Sequence, residues 1–151
     1  MSGDYAPLLL KNQLCFPIYL CSKEIVNLYT PMLEALELTY TQYVVMMYFW
    51  EKGSSNVKQL SDTLLLDPST LTPLLKKLEQ KGYLRRERNA DDERSLTVTL
   101  TETGLALREK AISVPNTMRE CIDLTEEESR CLYGLLYKVL QNIEKNKEKE
   151  E

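Results

Sequence analysis

VKQLSDTLLLDPSTLTPLLKKLEQKGYLRRERNADDERSLTVTL (residues 57–100) changes its hydrophobic period half-way along, and that change decides the fold. Val57, Leu60 and Leu64 recur at helical spacing, which predicts a helix over 57–65. Asp67-Pro68 then supplies an N-cap and a first helical residue, where a missing N–H does no harm. Leu71, Leu74, Leu75 and Leu78 mark the buried face of a helix over 68–81, and Gly82 suits the left-handed residue that ends it. Past Gly82 the period falls to two. Leu84, Arg86 and Arg88 share one face of a strand; Leu96, Val98 and Leu100 share one face of the next, with Thr97 and Thr99 opposite. Asn89 to Glu93 is polar and charged and forms the hairpin tip. Helix, short turn, helix, hairpin is the order of a winged helix-turn-helix, whose second helix lies in the DNA major groove.

The flanks are helical. Thr39-Tyr-Thr-Gln42 is a capping box ahead of the apolar run Val44–Trp50, which Gly53 stops. Residues 7–29 read as one long helix with Leu10, Leu14, Ile18, Cys21, Ile25 and Leu28 in a single apolar stripe and Pro17 as an internal kink. Thr30-Pro31 reads as the cap and first residue of a short helix to about Glu37. Thr101 caps another helix to about Val114, where Pro115 interrupts. Thr125-Glu-Glu-Glu128 is a capping box for a last helix whose apolar face is Leu132, Leu135, Leu136, Val139, Leu140 and Ile143. Lys145 to Glu151 is a charge run, read as a solvated, frayed end. The fold class is therefore mainly α with a small β-hairpin wing, in a single domain over 1–151 whose winged helix-turn-helix occupies 39–100.

Composition narrows the chemistry. The chain has no His, four Cys, 19 Lys+Arg and 23 Asp+Glu, for a formal charge of −4. Without His, Ser-His-Asp and Cys-His nucleophiles and mixed Cys/His zinc sites are impossible. No Rossmann or P-loop glycine pattern is present, so no cofactor, metal or catalytic set is assigned. The longest apolar run is too short for the ~20 residues of a membrane span, and no signal peptide opens the chain; a soluble cytoplasmic protein is expected.

The acidity is unevenly spread. Residues 1–67 hold four basic and seven acidic groups, net −3; residues 119–151 hold six and nine, also net −3. Residues 68–118 hold nine and seven, net +2. The basic excess thus falls on the reading helix and wing. Ser69, Thr70, Thr72, Lys76 and Lys77 on the helix can reach base edges and phosphates, and the wing offers Arg85, Arg86, Arg88 and Arg94. Pro73 sits inside the reading helix, where Pro costs about 3 kcal/mol and takes the helical donor from the Ser69 carbonyl.

Cys15, Cys21, Cys121 and Cys131 are spaced C-x5-C and C-x9-C, unlike the pairs of structural zinc sites. Structural disulfides are unexpected in a reducing compartment, which leaves plain core residues or redox-active thiols.

Over nearly its whole length the chain resembles the MarR family of bacterial winged-helix transcription factors. Leu10-Lys-Asn-Gln-Leu-Cys-Phe16 is similar to the sensor-cysteine signature of the organic-hydroperoxide-sensing, OhrR-type branch. Leu66-Asp-Pro-Ser-Thr-Leu-Thr-Pro-Leu-Leu-Lys-Lys-Leu-Glu79 resembles its recognition helix, Pro73 included, and Asp91-Asp-Glu-Arg-Ser95 the wing of the wider family. Pro17 departs from the family, which usually has an ordinary helix former there. The resemblance implies a homodimer in which helices from 5–37 and 101–147 interlock, bound to a palindromic double-stranded operator. It implies Cys15 as the redox sensor, oxidised by an organic hydroperoxide, with operator release and repression as the function. A thiolate without His must lean on Lys11, Tyr19 or, as the resemblance implies, Tyr29 and Tyr40. Tyr29 is 14 residues from Cys15, ~21 Å along one straight helix, so its hydroxyl can reach that sulfur only from a partner subunit. In two-Cys members the resolving thiol lies near the end of the fifth helix of the other subunit, where Cys121 falls; Cys131 and a small thiol are the alternatives, and Cys21 reads as core. Two rival functions stand beside this one: a regulator answering a small aromatic ligand at the dimer interface, and a Cys-based peroxidase.

Overall fold

The computed structural model describes residues 5–88 and 95–149, so the hairpin tip and Arg94 lie outside the described residues. The chain divides into two compact units, Met1–Val114 and Pro115–Glu151. The first opens with two 3-10 turns, Ala6–Leu8 and Leu10–Asn12, followed by α1 (Cys15–Glu34), α2 (Tyr40–Lys52), β1 (Ser54–Asn56), α3 (Val57–Leu64), α4 (Pro68–Gln80), β2 (Leu84–Arg88), β3 (Leu96–Leu100) and α5 (Glu102–Ala111). The second holds most of α6 (Val114–Ile122) and all of α7 (Glu126–Lys147). Among the described residues, no helix is long and apolar enough to cross a membrane.

Local chemistry sets the helix starts. The Thr39 side chain accepts from Gln42 N at 3.3 Å while Gln42 Oε1 accepts from Thr39 N at 3.1 Å. Thr125 and Glu128 form the same reciprocal pair ahead of α7, and Asn56 with Gln59 ahead of α3. Asp67 Oδ1 accepts from Ser69 N at 2.7 Å, with Pro68 first in α4. At the far end of α4, Gly82 (φ 77°) lets its own N–H reach the Glu79 carbonyl and that of Tyr83 reach the Leu78 carbonyl, the double bond of a Schellman cap. Gly53 (φ 73°) closes α2 with a positive φ of its own.

The sheet is antiparallel with order β1-β3-β2. Leu84 pairs with Leu100, Arg86 with Val98 and Arg88 with Leu96, so the residues that alternation groups on one face stay together. Tyr43, Val45, Met46 and Phe49 of α2, Leu60 of α3, Leu71, Leu75 and Leu78 of α4, Leu84 and Val98 are all buried and form the core under the reading unit. Each such side chain stabilises the fold by about 1.5–3 kcal/mol.

Five features differ from the sequence expectations. The helix drawn over 7–29 starts only at Cys15, because Asn12 and Gln13 side chains donate to the carbonyls of Ala6, Pro7 and Leu9 and close 3-10 turns instead. Pro17 therefore lies in the first turn of α1, where no N–H is needed, and kinks nothing. Pro31 does not open a new helix: α1 runs through it to Glu34, and Thr30 Oγ1 donates back to the Val26 carbonyl at 3.3 Å rather than capping. The helix capped by Thr101 does stop before Pro115, at Ala111, but Pro115 then sits in the first turn of a further helix, α6, that the sequence expectations lacked. β1 has no alternating pattern and exists through pairing with β3.

The fifth difference is the apolar stripe of the first helix. Cys21, read as core, is exposed, as are Leu10, Leu14, Ile18 and Leu28, so this chain's own core does not cover the stripe. The α7 face is also open, with Leu132, Leu135, Leu136, Val139, Leu140 and Ile143 between 38 and 56% exposed.

Candidate functional site

Two sets of residues carry the chemistry. The first is the outer surface of α4. With Leu71, Leu75 and Leu78 turned to the core, Ser69, Thr70, Thr72, Lys76 and Lys77 are all exposed. Neither lysine has an ion-pair partner among the described residues. Thr72 is partly committed, because its Oγ1 donates to the Pro68 carbonyl at 2.9 Å. The Asp67 carboxyl, which caps the helix, is held below its ordinary range by the hydrogen bonds from Ser69. α4 therefore presents hydroxyls and free cations from a rigidly capped helix, which suits base edges and phosphates.

The wing arginines divide. Arg88 is exposed at the end of β2, and Arg85 is exposed but pairs with Glu87 at 3.1 Å. Arg86 turns inward to α4. Its Nε and Nη2 donate to Glu79 Oε2 at 2.8 and 2.7 Å, and its backbone N–H donates to Glu79 Oε1 at 2.9 Å. The Arg86 side-chain bond is the main reason the Glu79 carboxyl titrates below its usual range. Arg86, counted among the DNA-contacting residues from sequence, is thus placed as a brace between wing and reading helix.

Sequence reading missed Glu79, which sits seven residues from Arg86 across a turn with no local motif to link them. It also missed two long-range contacts. Lys81 Nζ donates to the carbonyl of Glu37, in the corner between α1 and α2. Trp50 Nε1 donates to the Gly104 carbonyl at 2.8 Å, and a Cβ on Gly104 would stand 2.1 Å from the Tyr83 carbonyl oxygen. The only available signal was a Gly three residues after the Thr101 cap.

The second set surrounds the thiols. Cys15 is free, exposed and the first residue of the 20-residue α1. A helix N-terminus favours negative charge in its first turn. Lys11 lies in the preceding 3-10 turn, not one turn earlier on the same helix. Tyr19 lies one turn further along α1 and is exposed. Tyr29 lies on the same helix 14 residues on, which keeps it from this sulfur, as the length argument requires. It packs instead on Tyr40 (ring centroids 5.0 Å apart) and Tyr43 (5.8 Å). Burial first, then Tyr40, raises the Tyr29 hydroxyl's pKa, so it stays a hydrogen-bond donor at neutral pH.

In the second unit, Arg119 of α6 and Ser129, Arg130 and Tyr133 of α7 line a cleft of about 560 Å³. Cys121 is exposed in the last turn of α6, about 200° round that helix from Arg119 and so turned away from the cleft. Cys131 is also exposed.

Residues 27–110, more than half of the chain, match the family described as transcriptional regulator SarA/Rot. The chain belongs to this family. The SarA/Rot-type chain is also 38% identical, over 95% of its length and 97% of the relative's, to the organic hydroperoxide resistance transcriptional regulator of Bacillus subtilis. In structure it is similar to reduced AbfR bound to DNA, with a TM-score of 0.77 and 32% identity over 91% of this chain and 98% of that one. The disulfide form of AbfR, a Staphylococcus epidermidis protein, has a TM-score of 0.65 and 31% identity over 91% and 96%. A mutant of E. coli MarR with one cysteine replaced by serine, complexed with operator DNA, has a TM-score of 0.79 and 27% identity over 92% and 99%. The SarA/Rot-type chain is therefore a winged-helix, DNA-binding transcriptional regulator of MarR/SarA type, not an enzyme.

Proposed function

We propose that this regulator is a redox-switched repressor that acts as a homodimer and releases a palindromic operator when an organic hydroperoxide oxidises Cys15. The observation that carries the reading is Cys15 itself: a free, exposed thiol at the N-terminus of a 20-residue helix. The name of the Bacillus subtilis relative and the disulfide form of AbfR support it. Attack of the thiolate on the terminal peroxide oxygen breaks the O–O bond, leaves the sulfenic acid and, with one proton, releases the alcohol. A second thiol then condenses with the sulfenic acid, forming a disulfide and water. Cys121 of a second copy is the proposed resolving residue, and Tyr29 and Tyr40 of that copy, with Tyr19, are the proposed donors to the thiolate.

Dimerisation by helices within 5–37 and 101–147 is supported by apolar faces left open at both ends of the chain, on the Leu8–Ile18 segment and on α7. DNA contact is assigned to Ser69, Thr70, Thr72, Lys76 and Lys77 of α4 and to the exposed wing residue Arg88, together with Arg94 of the hairpin. Arg86 is kept as their brace. The test is a DNA-shift assay on the full chain with cumene hydroperoxide. Wild type should leave its operator and Cys15→Ser should stay bound. Equal release of both proteins overturns the sensor, and release by a small aromatic acid from thiol-blocked protein would favour a ligand-operated regulator.

A further inference from the structure

Pro73 occupies the middle of α4 in full view of solvent. Proline has no N–H, so the carbonyl four residues earlier, Ser69, has no helical donor to accept from. The neighbouring carbonyls are served. Asp67 O accepts from Thr70 N and Leu71 N at 2.9 and 3.0 Å, and Pro68 O accepts from Thr72 Oγ1 at 2.9 Å. The carbonyl that loses its donor to the proline is that of Ser69. Its position follows from the helical repeat: Ser69, Pro73 and Lys76 step by four and three along one stripe, on the side opposite the buried Leu71, Leu75 and Leu78. That is the side assigned to the major groove.

We propose that Pro73 is a specificity-determining residue. By withholding its N–H it leaves the Ser69 carbonyl as a main-chain acceptor on the groove-facing side of the reading helix. Such an acceptor selects a base that presents an amino donor in the major groove, the N4 amino of cytosine or the N6 amino of adenine, either directly or through one water. Guanine O6 and thymine O4 are acceptors at the matching position and are rejected. A main-chain acceptor cannot swing away as a serine side chain can, so its preference is geometrically narrow.

The inference rests on α4 being the reading helix, and the experiment separates the two. Wild type, Pro73→Ala, Ser69→Ala and Lys76→Ala are each used full length to select duplexes from one randomised double-stranded DNA pool. All are then titrated against the duplex that wild type enriches and against a scrambled duplex. Alanine restores the helical bond, so Pro73→Ala should melt at a higher temperature than wild type. It should nonetheless bind the enriched duplex ~3–10-fold more weakly, as the loss of one hydrogen bond implies. Its selected sequences should lose preference at one base pair per half-site, with the salt slope and the scrambled-duplex affinity unchanged. Ser69→Ala keeps the carbonyl and should keep that preference.

Unchanged affinity and base preference for Pro73→Ala would overturn the proposal. So would equal weakening on both duplexes, or a lower melting temperature, since either makes the proline a shape or stability element. If Lys76→Ala also leaves binding and its salt slope untouched, the reading-helix assignment itself fails. If Lys76→Ala weakens binding and Pro73→Ala does not, only the role of Pro73 fails.

Discussion

Replacing Arg86 separates a brace from a DNA contact. Its side chain is 21% exposed and that of its partner Glu79 is 33% exposed, so the pair lies between the two well-measured limits. Fully exposed ion pairs contribute ~0.2–1 kcal/mol, and shielded hydrogen bonds to charged groups about 1.5–3 kcal/mol. Arg86→Ala removes two side-chain bonds at 2.7 and 2.8 Å but keeps the backbone N–H that reaches Glu79 Oε1 at 2.9 Å, so the carboxylate is not orphaned. A loss of ~1–2 kcal/mol at neutral pH follows, which in a domain of this size lowers Tm by roughly 2–8 °C. Glu79→Gln should lose a similar amount. The double variant should be less destabilised than the two losses added together, with a coupling of ~1 kcal/mol.

Because Arg86 depresses the Glu79 carboxyl, folding holds that group ionised more firmly than the unfolded chain does. Its contribution is complete above the unfolded glutamate range, near ~4.3, and is lost as pH falls through the depressed folded value. The Tm difference between wild type and Arg86→Ala should therefore be widest near neutral pH and shrink on acidification. Differential scanning calorimetry at one fixed protein concentration measures it, since the Tm of the proposed dimer would depend on concentration. An unchanged Tm at neutral pH, coupled with a shallower salt slope of DNA binding, would make Arg86 a phosphate contact and refute the brace. So would a Tm gap that stays constant as the pH is taken down through the carboxylate range.

Gly104→Ala should destabilise by more than ~3 kcal/mol or abolish folding, because its Cβ would stand 2.1 Å from the Tyr83 carbonyl oxygen, a backbone atom that cannot swing aside. Denaturation followed by the fluorescence of Trp50, whose Nε1 bonds to the Gly104 carbonyl, reads this directly, and a variant as stable as wild type would contradict the close approach. Peroxide-treated wild type should run as a covalent dimer on non-reducing gels and Cys121→Ser should not; a band that persists in Cys121→Ser and disappears in Cys131→Ser would transfer the resolving role to Cys131.

Much of the reading unit was legible because its signals are short-range. The capping boxes at Thr39 and Thr125, the Asp67 cap with Pro68, and the stops at Gly53 and Gly82 each involve side chains and N–H groups only a few residues apart, and all five appear in the structure. Alternation alone said which residues of each hairpin strand share a face, and the pairing keeps those faces together. The prolines were the weak point. By sequence Pro17 and Pro31 suggest a kink and a start, whereas both are carried within α1; the break expected at Pro115 is present, with Pro115 in the first turn of the helix beyond it. In the first turn a proline removes nothing, and at Pro31 the helix continues past the one lost bond.

The sequence by itself determined the helix, helix, hairpin order of the reading unit, the concentration of positive charge on α4 and the wing, and the exclusion of histidine chemistry, since all three follow from residue identity and spacings of a few positions. It also required Tyr29 to reach any Cys15 sulfur from another copy, since chain length alone forbids the contact within one helix. Only the tertiary structure decided that Arg86 meets Glu79, that the Gly104 backbone packs against Tyr83, and that the stripes of α1 and α7 are exposed. Those outcomes depend on which surfaces meet after the helices form, and no period or cap in the sequence encodes that meeting.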